Sequence, residues 1–432
     1  MFATMKQIFK SENKDLRRRI YFTLFCLFIF KLGTTIIVPG VDSKLLGSNL
    51  GFLELINAMG GGALEKFSIF ALGVMPYITA SIIIQLLQMD IVPYLTELSK
   101  QGQVGRDKIS QITRITGLAL AFIQGYLFSF AFIQNGTSLQ YMEFALILTA
   151  GTAFLLWIGD QITKKGVGNG ISLIIMAGII ATMPSMFVDA YNGFVTGGTL
   201  QQTLFGITKF LLFVIMYLAI VIAVVFEQSA ERRIPIQYAN QSGAGIGGNK
   251  SYIPFKLNSA SVIPVIFASA IVSVPGLIAQ LLKNEQMTLF VQKWLSFQTG
   301  TGFVLYIVLI IAFTYFYTYL QLKPNELAEN LQKNGGYIPG VHPGDDTVKY
   351  ISKTLNRITL VGAICLAFIA GLPIVFGMFS NLPTSVSIGG TGLLIVVGVA
   401  LETYRQVESQ LISRNYTSSR GRRRRRWKVL FS

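Results

Sequence analysis

The sequence predicts an all-α membrane protein: ten transmembrane helices in two inverted five-helix halves, with a re-entrant half-helix before the second span. Three observations predict it. Of 432 residues, 52% are hydrophobic and only 13% charged, and the mean hydropathy is +0.56. A soluble chain needs roughly a quarter of its residues charged to cover its surface. Apolar runs near 20 residues recur along the whole chain, each long enough to cross about 30 Å of hydrocarbon as a helix. Finally, an octapeptide pattern, V-x-P-x-I-x-A-S, occurs twice, at Val74 to Ser81 and at Val262 to Ser269. It falls in the second and seventh runs, the corresponding spans of two five-span halves. An odd number of spans per half turns the second half upside down, and matched Pro-interrupted spans mark inverted repeats with a site at their interface.

Taken in order, the spans are expected near 20–38, 68–89, 111–133, 141–159, 170–187, 206–226, 259–282, 303–322, 356–377 and 388–404. The first follows Arg17-Arg18-Arg19 and lacks a small-residue cleavage site, so it reads as a retained span. Lys and Arg fix the orientation. Thirty of the 36 fall in segments 1–19, 90–114, 160–169, 227–258, 323–357 and 405–432, five on the opposite side, and Lys31 within the first span. Both termini are therefore expected in the cytoplasm. The chain divides into a cytoplasmic N-terminus (1–19), an N-terminal half (20–187), an external loop (188–205), a C-terminal half (206–404) with cytoplasmic loops 227–258 and 323–357, and a basic tail (405–432). The net charge of +16 is mostly topology, together with affinity for anionic lipids. The run Arg422 to Arg426 reads either as a tail held near lipid headgroups or as a contact for ribosomal RNA or an acidic partner.

Residues 52–64 are too few to cross a bilayer and end in Gly60-Gly61-Gly62. They read as a half-helix that re-enters from outside, or as an amphipathic surface helix. Cys26 and Cys365 lie inside spans as small apolar residues, without disulfide or metal-ligand spacing. His342 is the single histidine, and Asn135-Gly136-Thr137 is a chance-level glycosylation triplet. No metal, cofactor or catalytic set is expected. Spans two, five, seven and eight carry no ionisable acid, base or histidine, and span nine only Arg357 at its edge. Elsewhere Lys31, Glu143 and Lys209 stand out. Ion-coupled transporters need intramembrane carboxylates or histidines as relays, and membrane enzymes need a nucleophile with a base, or a metal. An apolar constriction, closed to ions by dewetting, is the physical alternative.

Particular strings carry a resemblance. Phe70 to Leu87, Gly166-Val-Gly-Asn-Gly-Ile-Ser172, Val262 to Ser269, Asn325 to Gly344 (NELAENLQKNGGYIPGVHPG) and Gly389 to Val396 resemble, in the expected order, motifs of the SecY family, channel subunits of Sec protein translocases. The resemblance implies two inverted halves around a central pore and passage of unfolded secretory proteins across the bacterial plasma membrane. It also implies lateral release of membrane segments, without enzymatic activity. Matching its apolar pore ring are Val74, Ile78, Ile171, Ile175, Ile266 and Ile395. Spacings 74/78 and 171/175 put each pair on one helix face. Matching its plug are Phe52, Leu53, Leu55, Ile56, Met59, Gly60, Gly61 and Gly62, and matching its lateral gate Thr79 and Val274. The two large cytoplasmic loops match docking surfaces for the SecA motor and the ribosome, with Arg232, Arg233 and His342 the expected contacts. Further implied partners are SecE-like and SecG-like small membrane subunits, signal peptides and unfolded precursors.

His342 stands where the family usually has arginine, and Gln103 and Asp107 depart from its pattern in the loop 101–108. An accessory paralogue for a narrow set of exported proteins is therefore an alternative. A small-solute secondary transporter shares the repeat architecture, but the charge-free spans weigh against it.

Overall fold

The computed structural model describes residues 14–39, 54–88, 91–132, 136–195, 200–238, 251–281, 285–297, 299–380 and 390–411. Each of the ten expected spans contains a helix. In chain order the elements are α1 (Lys14–Gly33), α2 (Glu54–Met59), α3 (Met75–Leu87), α4 (Pro93–Lys100), α5 (Gly102–Phe132), α6 (Ser138–Lys165), α7 (Gly170–Phe194) and α8 (Leu200–Ser229). Then come β1 (Glu231–Tyr238), β2 (Ser251–Lys256), α9 (Ile263–Leu281), α10 (Glu285–Trp294), α11 (Gly300–Leu322), α12 (Pro324–Lys333), β3 (Gly336–Tyr337), α13 (Asp345–Ser380) and α14 (390–411). Among the described residues six helices, α5 to α8, α11 and α13, are long and apolar enough to cross a bilayer, while α3 and the first part of α9 are shorter apolar helices. Large apolar side chains such as Phe25, Trp157, Ile222 and Phe368 point outward. Hydrocarbon tolerates these, and the backbone polar groups are satisfied within each helix.

The chain forms two compact units, Met1–Pro184 with Val399–Ser432, and Ser185–Gly398. The division falls inside α7 at Pro184, where the helix loses a backbone donor. In the first unit α5 packs on α3, α4 and α6, and α6 on α1. Leu16, Val167, Val407 and Leu411 form a small core joining the starts of α1 and α7 to the end of α14. In the second unit α11 packs on α9 and α13, and α13 on α8. Its core gathers Val224, Val265, Val272, Tyr306, Ile310, Leu366, Ile374 and Leu394.

The second expected span is helical only from Met75. Residues 68–74 are turns inside the protein. Their backbone groups are satisfied by a short bridge, Val38 N donating to Phe67 O at 3.0 Å and Ile69 N to Ile36 O at 3.1 Å. The Thr152 hydroxyl on α6 donates to Gly73 O at 3.2 Å. Such irregular backbone is tolerated at membrane depth only where protein shields it.

The two large loops are not open connections. β1 pairs antiparallel with β2, Glu231 opposite Lys256 and Ile236 opposite Ser251. β3, a hundred residues away, pairs with Gln237 and Tyr238 at the end of β1. The sheet order is β2-β1-β3. Pro235 is tolerated in the middle strand because β3 stops short of it. Ile234, Ile236 and Phe255 from the hairpin pack with Leu331, Ile338, Ile351 and Leu355 from the second loop and α13. The two loops thus share one core.

Candidate functional site

The repeated octapeptide folds alike in both units. Val74 precedes α3 and Val262 precedes α9, with Pro76 and Pro264 in the first turn, where a missing N–H costs nothing. The first helical bond is the same in each: Ile78 N donates to Val74 O at 3.1 Å, Ile266 N to Val262 O at 3.3 Å. Ile78 and Ile266 therefore occupy equivalent places, one turn into an apolar helix. Val74, Ile78 and Ile175 are buried, Ile171 and Ile266 half-buried, and Ile395 is 2% exposed on α14. All six are aliphatic, without a polar side-chain atom.

The turn Gly166 to Gly170 sets where α7 begins. Asn169 Oδ1 accepts from Ile171 N at 3.2 Å, and Thr163 Oγ1 accepts from Gly170 N at 2.9 Å. A Cβ at Gly170 would overlap the Gly159 carbonyl, so the turn closes tightly onto α6. The glycine string is a helix-to-helix turn, not a phosphate cradle, and it fixes Ile171 and Ile175 at the start of α7.

Of the eight expected plug residues, Phe52 and Leu53 lie outside the described residues, and Leu55 and Ile56 are helical in α2. Met59 is buried, and Gly61 and Gly62 turn the chain back at φ +74° and +81°, where a side chain would be strained. Asn57 O accepts from Gly62 N at 2.8 Å, and Asn57 Oδ1 from Glu65 N at 3.0 Å, closing the turn. This segment is seated on α7: a Cβ at Gly178 would overlap the Met59 carbonyl and lie 3.0 Å from Gly61 N. It also lies against the residue before Val74, since a Cβ at Gly73 would be 3.6 Å from Gly60 Cα. The first unit therefore brings α2 and its glycines beside both elements that carry Val74, Ile78, Ile171 and Ile175.

Sequence reasoning missed two polar contacts of this unit. Lys31 Nζ donates to Gly61 O at 3.4 Å, so the one cation within the first span touches the glycine turn. Arg114 on α5 pairs with Asp160 on α6, beside Tyr77 on α3. An ion pair within apolar helices was the missing signal. The pair is about a third exposed, so Asp160→Ala should lower thermal stability in detergent by up to about 1 kcal/mol. The double replacement Arg114→Leu with Asp160→Leu should recover most of it, which unfolding curves of the set would check.

Thr79 is half-buried and its hydroxyl donates to Met75 O at 3.1 Å; Val274, on α9, is exposed. Arg232 is exposed and makes no ion pair among the described residues. Arg233 instead folds back: both Nε and a terminal nitrogen reach Glu231 Oε1 at 2.7 Å, and its guanidinium lies 4.8 Å from the Tyr252 ring centre. The Glu231 carboxylate raises its pKa. His342 is exposed in the turn before α13, its carbonyl accepting from the Thr347 hydroxyl at 2.8 Å. The tail Arg422 to Arg426 lies outside the described residues. No group of metal-binding side chains occurs among the described residues.

A family model described as SecY matches residues 68–404. The protein translocase subunit SecY of Bacillus subtilis (strain 168) is 48% identical over 429 residues, covering 96% of this chain and 99% of that one. Among solved structures, a protein-conducting channel superposes with a TM-score of 0.66 at 19% identity, covering 92% of this chain and 93% of the other. The Sec61 channel of the canine ribosome-channel complex from the endoplasmic reticulum superposes at 0.63, with 19% identity and the same coverage.

Proposed function

Because the chain belongs to the SecY family, we propose that it is the protein-conducting channel subunit of a bacterial Sec translocase, a multi-pass protein of the plasma membrane and not an enzyme. It passes unfolded precursors across the membrane and releases apolar segments into the lipid. One observation carries the reading. The short helix α2 and its glycine turn sit against α7 and against Gly73 in the turn that leads into α3, the two segments bearing four of the six aliphatic ring residues. A segment so placed is a plug, and a ring without polar atoms closes to ions while yielding to a bulkier passenger.

In this reading Val74, Ile78, Ile171, Ile175, Ile266 and Ile395 form the seal, and Thr79 and Val274 border the lateral gate. A signal peptide's apolar stretch enters there, gaining lipid contact while the rest of the chain enters the pore. Both termini and the three-stranded sheet lie in the cytoplasm, following the Lys and Arg distribution. The sheet subdomain takes the ribosome and the SecA motor, and the canine Sec61 channel is itself part of a ribosome-channel complex. SecE-like and SecG-like subunits and anionic lipids complete the surroundings.

Vesicles reconstituted with the chain and its small subunits test this. Motor-driven, signal-dependent entry of a precursor is expected. Accumulation of a small solute with no precursor uptake would overturn it. Arg232 is the freer arginine of the hairpin, so Arg232→Glu should weaken motor or ribosome binding about tenfold, through lost contact and like-charge repulsion. Titrating binding to vesicles at two salt concentrations checks this, since the loss should shrink at high salt.

A further inference from the structure

The root of the β1–β2 hairpin holds a buried polar pair that the channel's seal does not use. Leu257 N donates to Ala230 O at 2.9 Å and closes the base of the hairpin. The next residue, Asn258, uses both amide hydrogens: Nδ2 donates to Glu227 Oε1 at 3.2 Å and to Ser261 O at 2.8 Å. Glu227 is in the last turn of α8, and Ser261 stands two residues before α9. One amide therefore ties together the end of α8, the hairpin and the entry to α9. Ser261 is held at φ +54°, left-handed backbone that serine rarely adopts, and the bond to its carbonyl is one of the contacts that hold this strained entry.

The pair is enclosed. Glu227 and Asn258 are each 3% exposed. A Cβ at Gly362 on α13 would overlap the Leu257 carbonyl, and one at Gly398 on α14 would lie 2.8 Å from Gln228 Nε2 and 2.6 Å from Val262 Cγ1. All these residues belong to the second unit.

Two oxygens here accept from no donor: Glu227 Oε2 and Asn258 Oδ1. No Lys or Arg forms an ion pair with Glu227 among the described residues. A buried carboxylate without a cation is unfavourable, and so is a buried amide oxygen without a donor. One proton answers both, if the acid O–H donates to the amide oxygen while the amide N–H donates to the acid carbonyl.

We propose that Glu227 and Asn258 form a neutral acid–amide joint that passes displacement of the β1–β2 hairpin to α9, making both positioning residues for channel opening. The inference rests on the channel reading, in which the hairpin docks a partner and α9 borders the gate. The hairpin shares one core with the second loop and α13 and moves with them as a body, and the joint is where that body meets α9.

The test uses the full chain with its small subunits in vesicles, comparing wild type, Glu227→Gln, Glu227→Ala and Asn258→Ala. Two quantities are read: affinity for the motor, and the rate of precursor entry at saturating motor. Glu227→Ala and Asn258→Ala should bind the motor within about twofold of wild type, yet carry precursor about tenfold more slowly. Glu227→Gln keeps a neutral planar group whose NH2 can donate to Asn258 Oδ1 and whose carbonyl can accept from Asn258 Nδ2, and should stay within about twofold on both. Motor affinity and rate falling together, or Ala variants at the wild-type rate, would overturn transmission through the joint. Glu227→Gln as slow as Glu227→Ala would show that a charge is needed and overturn the neutral pair. Should the Ala variants fail to insert, the infrared band of a protonated carboxyl decides. It should be present in wild type at neutral pH and absent in Glu227→Gln, and no difference overturns the proposal. Wild-type vesicles that admit no precursor would instead mark failure of the channel reading.

Discussion

Gly178→Ala raises the resting ion conductance of vesicle-reconstituted channels, with precursor entry in the presence of motor retained. The expectation follows from the closeness of α7 to the proposed plug, where a Cβ at this position overlaps the Met59 carbonyl and meets Gly61 N. Neither atom is the tip of a flexible side chain. Backbone has to move, and the six-residue helix α2 with its glycine turn is displaced more easily than one residue inside the 25-residue helix α7. Overpacking of this kind costs about 1–3 kcal/mol. Placed on the seated state alone, that raises the unseated population roughly 5- to 150-fold, since 1.4 kcal/mol is a factor of ten. Single-channel recording without precursor measures it directly. A resting conductance equal to wild type would show that the glycine turn is not the plug's seat.

The second large effect belongs to the proposed ring. Ile175→Asn puts an amide at a buried position one turn before Gly178. Without compensating hydrogen bonds, burial of the amide costs about 1–3 kcal/mol. The open state, which is wetter, does not bear this cost. The gap between the closed and open states narrows by that amount, so precursors with defective signal sequences should enter roughly tenfold faster. Export of a signal-defective precursor from cells carrying the variant, beside an intact one, reads the change. If the ratio of the two rates and the ion leak both stay at wild-type values, Ile175 lines no pore.

Much of this was legible because lipid permits few solutions. A run such as Phe70 to Leu87 has to be helical or shielded wherever it meets hydrocarbon, so composition alone located it. The octapeptide could be read further, since Pro76 and Pro264 are favourable only in a first helical turn. What escaped depends on distant partners. The turns at 68–74 are as apolar as a helix, and only Thr152 and the 36–38 bridge explain why they are not one. β1 carries Pro235 and three exposed residues at its start, a poor strand by pattern, and it is made a strand by residues at 251–256 and 336–337. Lys31 was visible as an anomaly in its span. Its acceptor, Gly61, was not, because thirty residues separate them.

The sheet that joins the two loops has a consequence for anyone exchanging parts between relatives. β3 contributes two residues, and its hold on β1 includes a side-chain bond, Tyr337 Oη donating to Gln237 Oε1 at 2.9 Å. Grafting either loop alone would import one side of a dovetail without the other. The unit of transplantation is the pair, residues 231–256 together with 324–355, although more than sixty residues of membrane helix and connection lie between them.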